Sequence, residues 1–219
     1  ASPPDQVSPV ESKSDDYYRH QNSYQNFKET YKNRAKIILA GSNAGMLHAF
    51  SVDSGEELWA FIPPSILPKL RTVVSTTANT TNAIYGVDGT TLVKDIFYDG
   101  QWKTVALTGL GKGGNSYFAL DVTDTLNPKH LFTFKNDPVR QVVSYWRADG
   151  FKTIHDYSGG TIDANYDYRK LGEAWSTPRI IRLKIPADDP NTPLNTDGED
   201  EPDYRDTDSD NDGVLDSDE

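Results

Sequence analysis

The chain has 219 residues, of which 36% are hydrophobic and 25% charged, with a formal net charge of −11 and no cysteine. That length supports one or two domains with a real core, and the lack of cysteine excludes disulfide frameworks, thiol catalysis and zinc–thiolate sites. No apolar run approaches the ~20 residues of a membrane-spanning helix, and the polar stretch that opens at Ala1 has no signal-peptide pattern.

The charge is unevenly placed. Residues 187–219 hold 14 acidic residues and one basic, while the preceding 186 residues hold 19 acidic and 21 basic. A near-neutral body gives no electrostatic footprint for nucleic acid, and the acidic tail would repel phosphate. Dense carboxylates suit a hard cation instead.

Residues 1–34 read as a polar lead-in segment. The spacing of Tyr24, Phe27 and Tyr31 fits one helical face and predicts a short helix over residues 22–32. Such a segment would pack its aromatics on the domain that follows.

From residue 35 the pattern becomes that of strands. Lys36–Ala40 is a strand run ending in the turn residues Gly41 to Gly45. Met46–Val52 is a second, Asp53-Ser-Gly55 a turn, and Leu58–Ile62 a third strand stopped by Pro63 and Pro64. A second cycle follows, with strands at Thr91–Tyr98, Trp102–Thr108, Ser116–Val122 and His130–Phe134. Its first two strands are joined by the Asp99-Gly100 hairpin turn. The cycles match internally: Ala40-Gly41, then Leu47-His48-Ala49-Phe50, then Trp59-Ala60-Phe61 parallel Gly109, Phe118-Ala119-Leu120 and Phe132-Thr133-Phe134.

Repeated short strands ending in an aromatic pair predict an all-β fold, a partial β-propeller of about two four-stranded blades. A third blade would start at Ser176 to Leu183. Two blades and part of a third cannot close a ring, which takes at least ~4, so the remaining blades are expected from a longer chain or another one. A stand-alone sandwich is the alternative. Ser75–Asn82 and Asp137–Leu171 show no sustained period; the second reads as a long loop over the body. The expected organisation is therefore a lead-in at 1–34, blades at 35–186 and an acidic segment at 187–219.

The sharpest chemical pattern lies in that segment. Asp208 to Glu219 fits the twelve-residue calcium loop. Calcium takes six to eight oxygens, with alternate loop positions turned inward. Asp208, Asp210 and Asp212 would supply side-chain oxygens, and Gly213 the sharp turn. Val214 would offer its carbonyl, Asp216 the water-bridged position and Glu219 a bidentate carboxylate. Nothing before Asp208 reads as a helix, and Pro202 is close by. A solvated acidic run is the competing reading. Magnesium fits less well, because it keeps more of its water.

Other patterns carry less. Gly109-Leu-Gly111-Lys-Gly-Gly114 matches a dinucleotide-binding spacing, but the alternating residues after it predict a strand where a helix is required. His20, His48, His130 and His155 have no metal-ligand spacing, and no Ser–His–acid arrangement is legible from spacing.

The blade residues carry a family resemblance. Gly41 to Phe50 followed by Asp53 to Phe61 is similar to the repeat of quinoprotein-type propellers, and resembles more closely the first blade of the PilC/PilY family of type IV pilus tip proteins. Phe27…Asn33-Arg34, Ile62 to Pro68, Val87-Asp88-Gly89 and Asp95 extend the match. So do Trp102-x-Thr104-Val105, Gly109 to Gly114, Phe118 to Asp124, Leu171-Gly172 and Ser176-x-Pro178. The resemblance covers about residues 24–184. It implies an exported propeller at the pilus tip, without catalysis, acting in pilus biogenesis, surface adhesion and twitching motility. It implies calcium as modulator and minor pilins and a host or abiotic surface as partners. The acidic segment upstream, from Asp197 to Asp208, resembles thrombospondin type 3 calcium repeats. Two other readings are a quinone-cofactor dehydrogenase, which needs a central funnel and a catalytic base, and a non-catalytic assembly scaffold.

Overall fold

The computed structural model describes residues 15–73, 85–98 and 100–181. It contains helix α1 (Asp15–Tyr31), strands β1 (Ile37–Gly41), β2 (Leu47–Ser51) and β3 (Glu57–Phe61), and helix α2 (Leu67–Val73). Then come β4 (Thr91–Tyr98), β5 (Gln101–Gly109), β6 (Ser116–Asp121), β7 (Lys129–Asp137), β8 (Val142–Arg147) and β9 (Lys152–Asp156). Both sheets lie in the first of the chain's two units, Ala1–Arg179; the second is Ile180–Glu219.

Each sheet is an antiparallel meander in chain order, β1-β2-β3 and β4-β5-β6-β7-β8-β9. Short turns make this the only economical pairing. Gly45, Gly55, Gly100 and Gly150 turn the chain with positive φ, which a residue with a Cβ adopts at a cost.

The register bears out the internal repeat. Gly41 pairs Leu47 and Leu39 pairs Ala49 in the first sheet; Gly109 pairs Tyr117 and Leu107 pairs Ala119 in the second. Leu47 pairs Phe61 and Ala49 pairs Trp59, as Tyr117 pairs Phe134 and Ala119 pairs Phe132. The register slips at the same place in both, between Ala49 and Phe50 and between Ala119 and Leu120. Bulges are positioned features that raise local twist, so β1-β2-β3 and β5-β6-β7 are two copies of one unit.

The core lies where one face of the first sheet meets one face of the second. Leu47, Ile66, Val87, Ala106, Phe118 and Leu120 are buried in it, with Leu39, Trp59, Phe61, Leu70 and Val93 packed alongside. Phe61 meets Phe118 at 5.6 Å between ring centroids. A fully buried side chain of this size contributes roughly 1.5–3 kcal/mol. Ile66 reaches the core from the Pro63-Pro64 segment, just before α2, whose Leu70 packs beside it.

Three expectations are corrected. Residues 137–171 are not a long loop: β7 runs to Asp137, and β8 and β9 add a hairpin to the sheet. The second cycle is therefore six-stranded, and only residues 157–171 cross over without strands, apart from a 3-10 turn at Ala164–Tyr166. The lead-in helix starts earlier than residue 22 and ends at Tyr31. Residues 176–181, expected to open a third blade, carry no strand, and residues 182 and 183 lie outside the described residues, as do Ser75–Asn82.

Candidate functional site: the helix–sheet junction and the inter-sheet turns

Helix α1 is fastened to the second sheet by its aromatic stripe. Tyr24 and Phe27 lie 4.5 Å and 6.5 Å from Trp102, and Phe27 packs on Tyr31 at 5.0 Å. The Trp102 indole N–H donates to Ser23 Oγ at 2.9 Å. The helical spacing of these aromatics predicted this packing.

Beneath the stripe lies a buried polar cluster. Asp95 shares the inward face of β4 with Val93 and is only 1% exposed. Its two carboxylate oxygens accept from Thr104 Oγ1 and from the Tyr24 hydroxyl, the latter at 3.1 Å. Thr104 Oγ1 in turn accepts from Arg34 Nη1 at 2.9 Å, and Arg34 Nη1 also donates to the Thr123 carbonyl at 3.1 Å. Burial pushes the Asp95 carboxyl above its ordinary value, outweighing the Thr104 and Tyr24 hydroxyls and the Arg34 charge. Burial likewise draws the Arg34 guanidinium below its ordinary value, against the pull of Asp95. Arg34 Nε is buried without a partner. A buried carboxylate whose two oxygens each accept from a fixed hydroxyl holds those elements in place.

The β6–β7 turn completes the junction. The Trp59 indole donates to the Thr125 carbonyl at 2.8 Å, and the Thr125 hydroxyl donates to the Ala35 carbonyl at 2.8 Å. Helix, first sheet and second sheet are thereby tied at one place.

The glycine stretch Gly109 to Gly114 is a turn between β5 and β6, as its alternating flank predicted, and it serves close backbone packing. A Cβ on Gly89 would lie 2.2 Å from the Gly109 carbonyl oxygen, and one on Gly113 would lie 1.7 Å from that of Gly86. Asp88 N–H donates to the Leu110 carbonyl at 3.2 Å, and Lys69 Nζ donates to the Gly113 carbonyl at 2.6 Å. The turn is filled by protein backbone where a nucleotide phosphate would have to sit.

One constellation escaped the sequence. His48 Nε2 lies 2.9 Å from Ser42 Oγ, and His48 Nδ1 lies 2.8 Å from Glu57 Oε2. The geometry is that of a Ser–His–acid relay. The turn's backbone N–H groups are spent locally, however: Ser42 N–H on the Met46 carbonyl and Gly45 N–H on the Ser42 carbonyl. Neither is available to an oxyanion. The relay holds the β1–β2 turn against β3. No spacing rule reaches it, because the register of three strands brings its members together.

The predicted calcium residues Asp208, Asp210, Asp212, Val214, Asp216 and Glu219 lie outside the described residues. Among the described residues no group of three or more His, Asp or Glu side chains could hold a metal ion, and no helix is long and apolar enough to cross a membrane.

Residues 15–140 match the PilY1 beta-propeller domain family. The chain belongs to this family. Its relatives include the type IV pilus biogenesis factor PilY1 of Pseudomonas aeruginosa (strain UCBPP-PA14), 40% identical over 111 residues, which is 51% of this chain and 10% of that protein. The PilY1 protein of P. aeruginosa strain PAK is 41% identical over 110 residues, 50% of this chain and 9% of the relative. A PilY1 homolog of Xylella fastidiosa (strain Temecula1) is 39% identical over 112 residues, again 50% and 9%. The match thus spans about a tenth of the length of these relatives. The crystal structure of the P. aeruginosa PilY1 C-terminal domain is 34% identical, with 60% of this chain and 27% of that one covered and a TM-score of 0.42.

The PilY1 propeller span holds α1, the Arg34–Thr104–Asp95 cluster and both copies of the repeat. Strands β8 and β9, the crossing segment 157–176 and the acidic residues 187–219 lie beyond it.

Proposed function

We propose that this chain is the propeller part of a type IV pilus tip-associated adhesin and assembly factor, acting in pilus biogenesis, surface adhesion and twitching motility. The observation that carries the reading is the 40% identity over 111 residues to a protein named type IV pilus biogenesis factor. The buried polar clusters support a binding role over a catalytic one, since each fastens elements of the fold. In this reading the chain works at the cell surface, with minor pilins on one side and a host or abiotic surface on the other. Deleting its coding segment in the parent organism is expected to remove surface pili and twitching zones, both restored by the wild-type segment. Normal piliation after the deletion would overturn the reading.

Calcium is part of the same proposal. Asp208, Asp210, Asp212, Val214, Asp216 and Glu219 supply the oxygen-rich ligand set that a six- to eight-coordinate ion takes. The upstream carboxylates from Asp197 to Asp206 would contribute to a neighbouring ion, which would offset their mutual repulsion. Calorimetric titration of the chain with calcium is expected to give saturable binding. The triple variant Asp208→Ala/Asp210→Ala/Asp212→Ala is expected to lose it. A parent chain that binds no calcium would reduce the segment to an acidic linker.

A further inference from the structure

The register that builds the first copy of the repeat also assembles a relay of three polar side chains. Ser42 follows β1 in the turn, His48 stands on β2 opposite Ala40 and Ala60, and Glu57 opens β3 opposite Phe50. The imidazole stacks on Phe50 at 5.9 Å, which fixes its plane. Its Nε2 then lies 2.9 Å from Ser42 Oγ and its Nδ1 2.8 Å from Glu57 Oε2. A carboxylate can only accept, so Nδ1 carries the ring proton and Nε2 turns its lone pair to the Ser42 hydroxyl. The Met46 carbonyl, at 3.3 Å, is the hydroxyl's more distant acceptor. The His48 side chain is 17% exposed and that of Glu57 49%, and Ser42 is half-buried.

The fold does not require these three groups. The shared register puts Leu110, Phe118 and His130 of the second copy in the places of Ser42, His48 and Glu57. There Leu110 and Phe118 are buried in the core, so apolar packing fills the positions that the first copy gives to a hydroxyl and an imidazole. A hydroxyl on an imidazole nitrogen, with the ring oriented by a third group, is the arrangement that activates a serine.

We propose that Ser42 is a nucleophile that takes up an acyl group from an activated carboxylic ester, with His48 as its base and Glu57 as the positioning residue. Ser42 Oγ bonds to the ester carbonyl carbon while its proton passes to His48 Nε2. The bond from that carbon to the alkoxy oxygen then breaks, the proton leaves with the departing alcohol, and the acyl group stays on Ser42. The Ser42 and Gly45 N–H groups are spent on the Met46 and Ser42 carbonyls, so they do not serve the oxyanion formed on the way. Transfer is therefore slow and stops at the Ser42 ester, which makes this a site of covalent modification rather than of turnover. It is independent of a role in pilus biogenesis.

The test incubates the chain with p-nitrophenyl acetate. About one equivalent of p-nitrophenol per chain should appear ahead of the slow background from lysines and tyrosines, with the acetyl group mapped to Ser42 by mass spectrometry. Ser42→Ala should lose that equivalent. His48→Asn should slow acetylation of Ser42 by about 100-fold, the lower end of what a positioned base supplies. Glu57→Leu should slow it as well, while Glu57→Gln, whose amide oxygen still accepts from Nδ1, should keep most of the rate. Urea midpoints show that each variant is folded, and the two Glu57 variants carry the test if His48→Asn is not. Ser54, an exposed serine in the turn after β2, is the internal reference. Acetylation of Ser42 no faster than that of Ser54, or a rate indifferent to the folded His48 and Glu57 variants, would overturn the assignment.

Discussion

The Cβ that Gly109 lacks would lie 2.7 Å from the carbonyl oxygen of Ala174, the oxygen that accepts the Gly111 N–H at 3.1 Å. Gly41 stands in the same relation to Val87, where a Cβ would come within 2.2 Å of the carbonyl oxygen. In both copies of the repeat, the first strand ends at a glycine so that a returning segment can lie against bare backbone.

Gly109→Ala is therefore expected to lower stability by about 1–3 kcal/mol, the usual cost of forcing a methyl group into filled space. Gly159→Ala serves as the control, because nothing lies within 4 Å of its added carbon. Urea midpoints of the two variants measure the difference. Equal midpoints would remove the packing argument for this glycine.

Asp95 should leave a pH dependence of defined sign. Burial raises its carboxyl above the ordinary 3.8, so between that value and the raised one the folded chain holds a proton the unfolded chain has lost. Stability from this group is then highest at low pH and falls as pH rises through the raised value. Asp95→Asn removes the titration. The stability of the wild type relative to this variant should decline with rising pH across that window and then level off. A flat difference would contradict the burial account.

His130 should act in the opposite sense. Its ring stacks on Phe61 at 5.7 Å and its Nε2 lies 2.8 Å from Thr133 Oγ1. Burial pushes the imidazole below the ordinary 6.5, against the backbone hydrogen bonds of Phe132 and Arg147. The unfolded chain takes up the proton first as pH falls, so this contribution is complete above 6.5 and is lost as pH falls through the depressed value. His130→Phe keeps a ring against Phe61 without a titrating group. The stability difference between wild type and variant should narrow or reverse on acidification; a constant difference would count against it.

Asn136 pins the segment that crosses the second sheet. Its amide nitrogen donates to the carbonyls of Arg169 and Leu171 at 2.8 and 2.9 Å, and its amide oxygen accepts from the Tyr157 hydroxyl at 2.9 Å. Asn136→Ala strands all three partners, at about 1–3 kcal/mol for each that stays buried and unsatisfied. Hydrogen exchange should speed up in residues 157–171 and stay unchanged in β1-β2-β3. Uniform acceleration would mean that the residue supports the whole fold rather than the crossing segment.

Much of this architecture is legible in the sequence, for reasons that also explain the misses. The strands of both copies show because each has a buried face that enforces alternation, as in Leu47 and Ala49 or Phe118 and Leu120 around the bulge. Strands β8 and β9 were hidden. They are six and five residues long, and β9 alternates between exposed and half-buried residues, Lys152 and Thr153, Ile154 and His155, with no core to set a period. Helix α2 was masked by Pro68, which sits in the first turn, where a missing N–H costs nothing. The Arg34–Thr104–Asp95 cluster joins residues up to 70 apart in sequence. The one visible clue was a carboxylate at an inward position of β4. The calcium pattern lies on residues outside the described part of the chain.

Strand β9 also bears on how the protein behaves at high concentration. It is the outer strand of the six-stranded sheet, and β8 is its one strand neighbour among the described residues. An outer strand offers unpaired backbone groups that can template growth with any other strand. Here it is five residues long, with exposed Lys152 and Asp156 at its ends. A short edge with opposite charges at its two ends penalises a stray strand through both desolvation and lost length. The shortness that helped to hide β9 in the sequence is thus also what guards this edge against fibrillar aggregation.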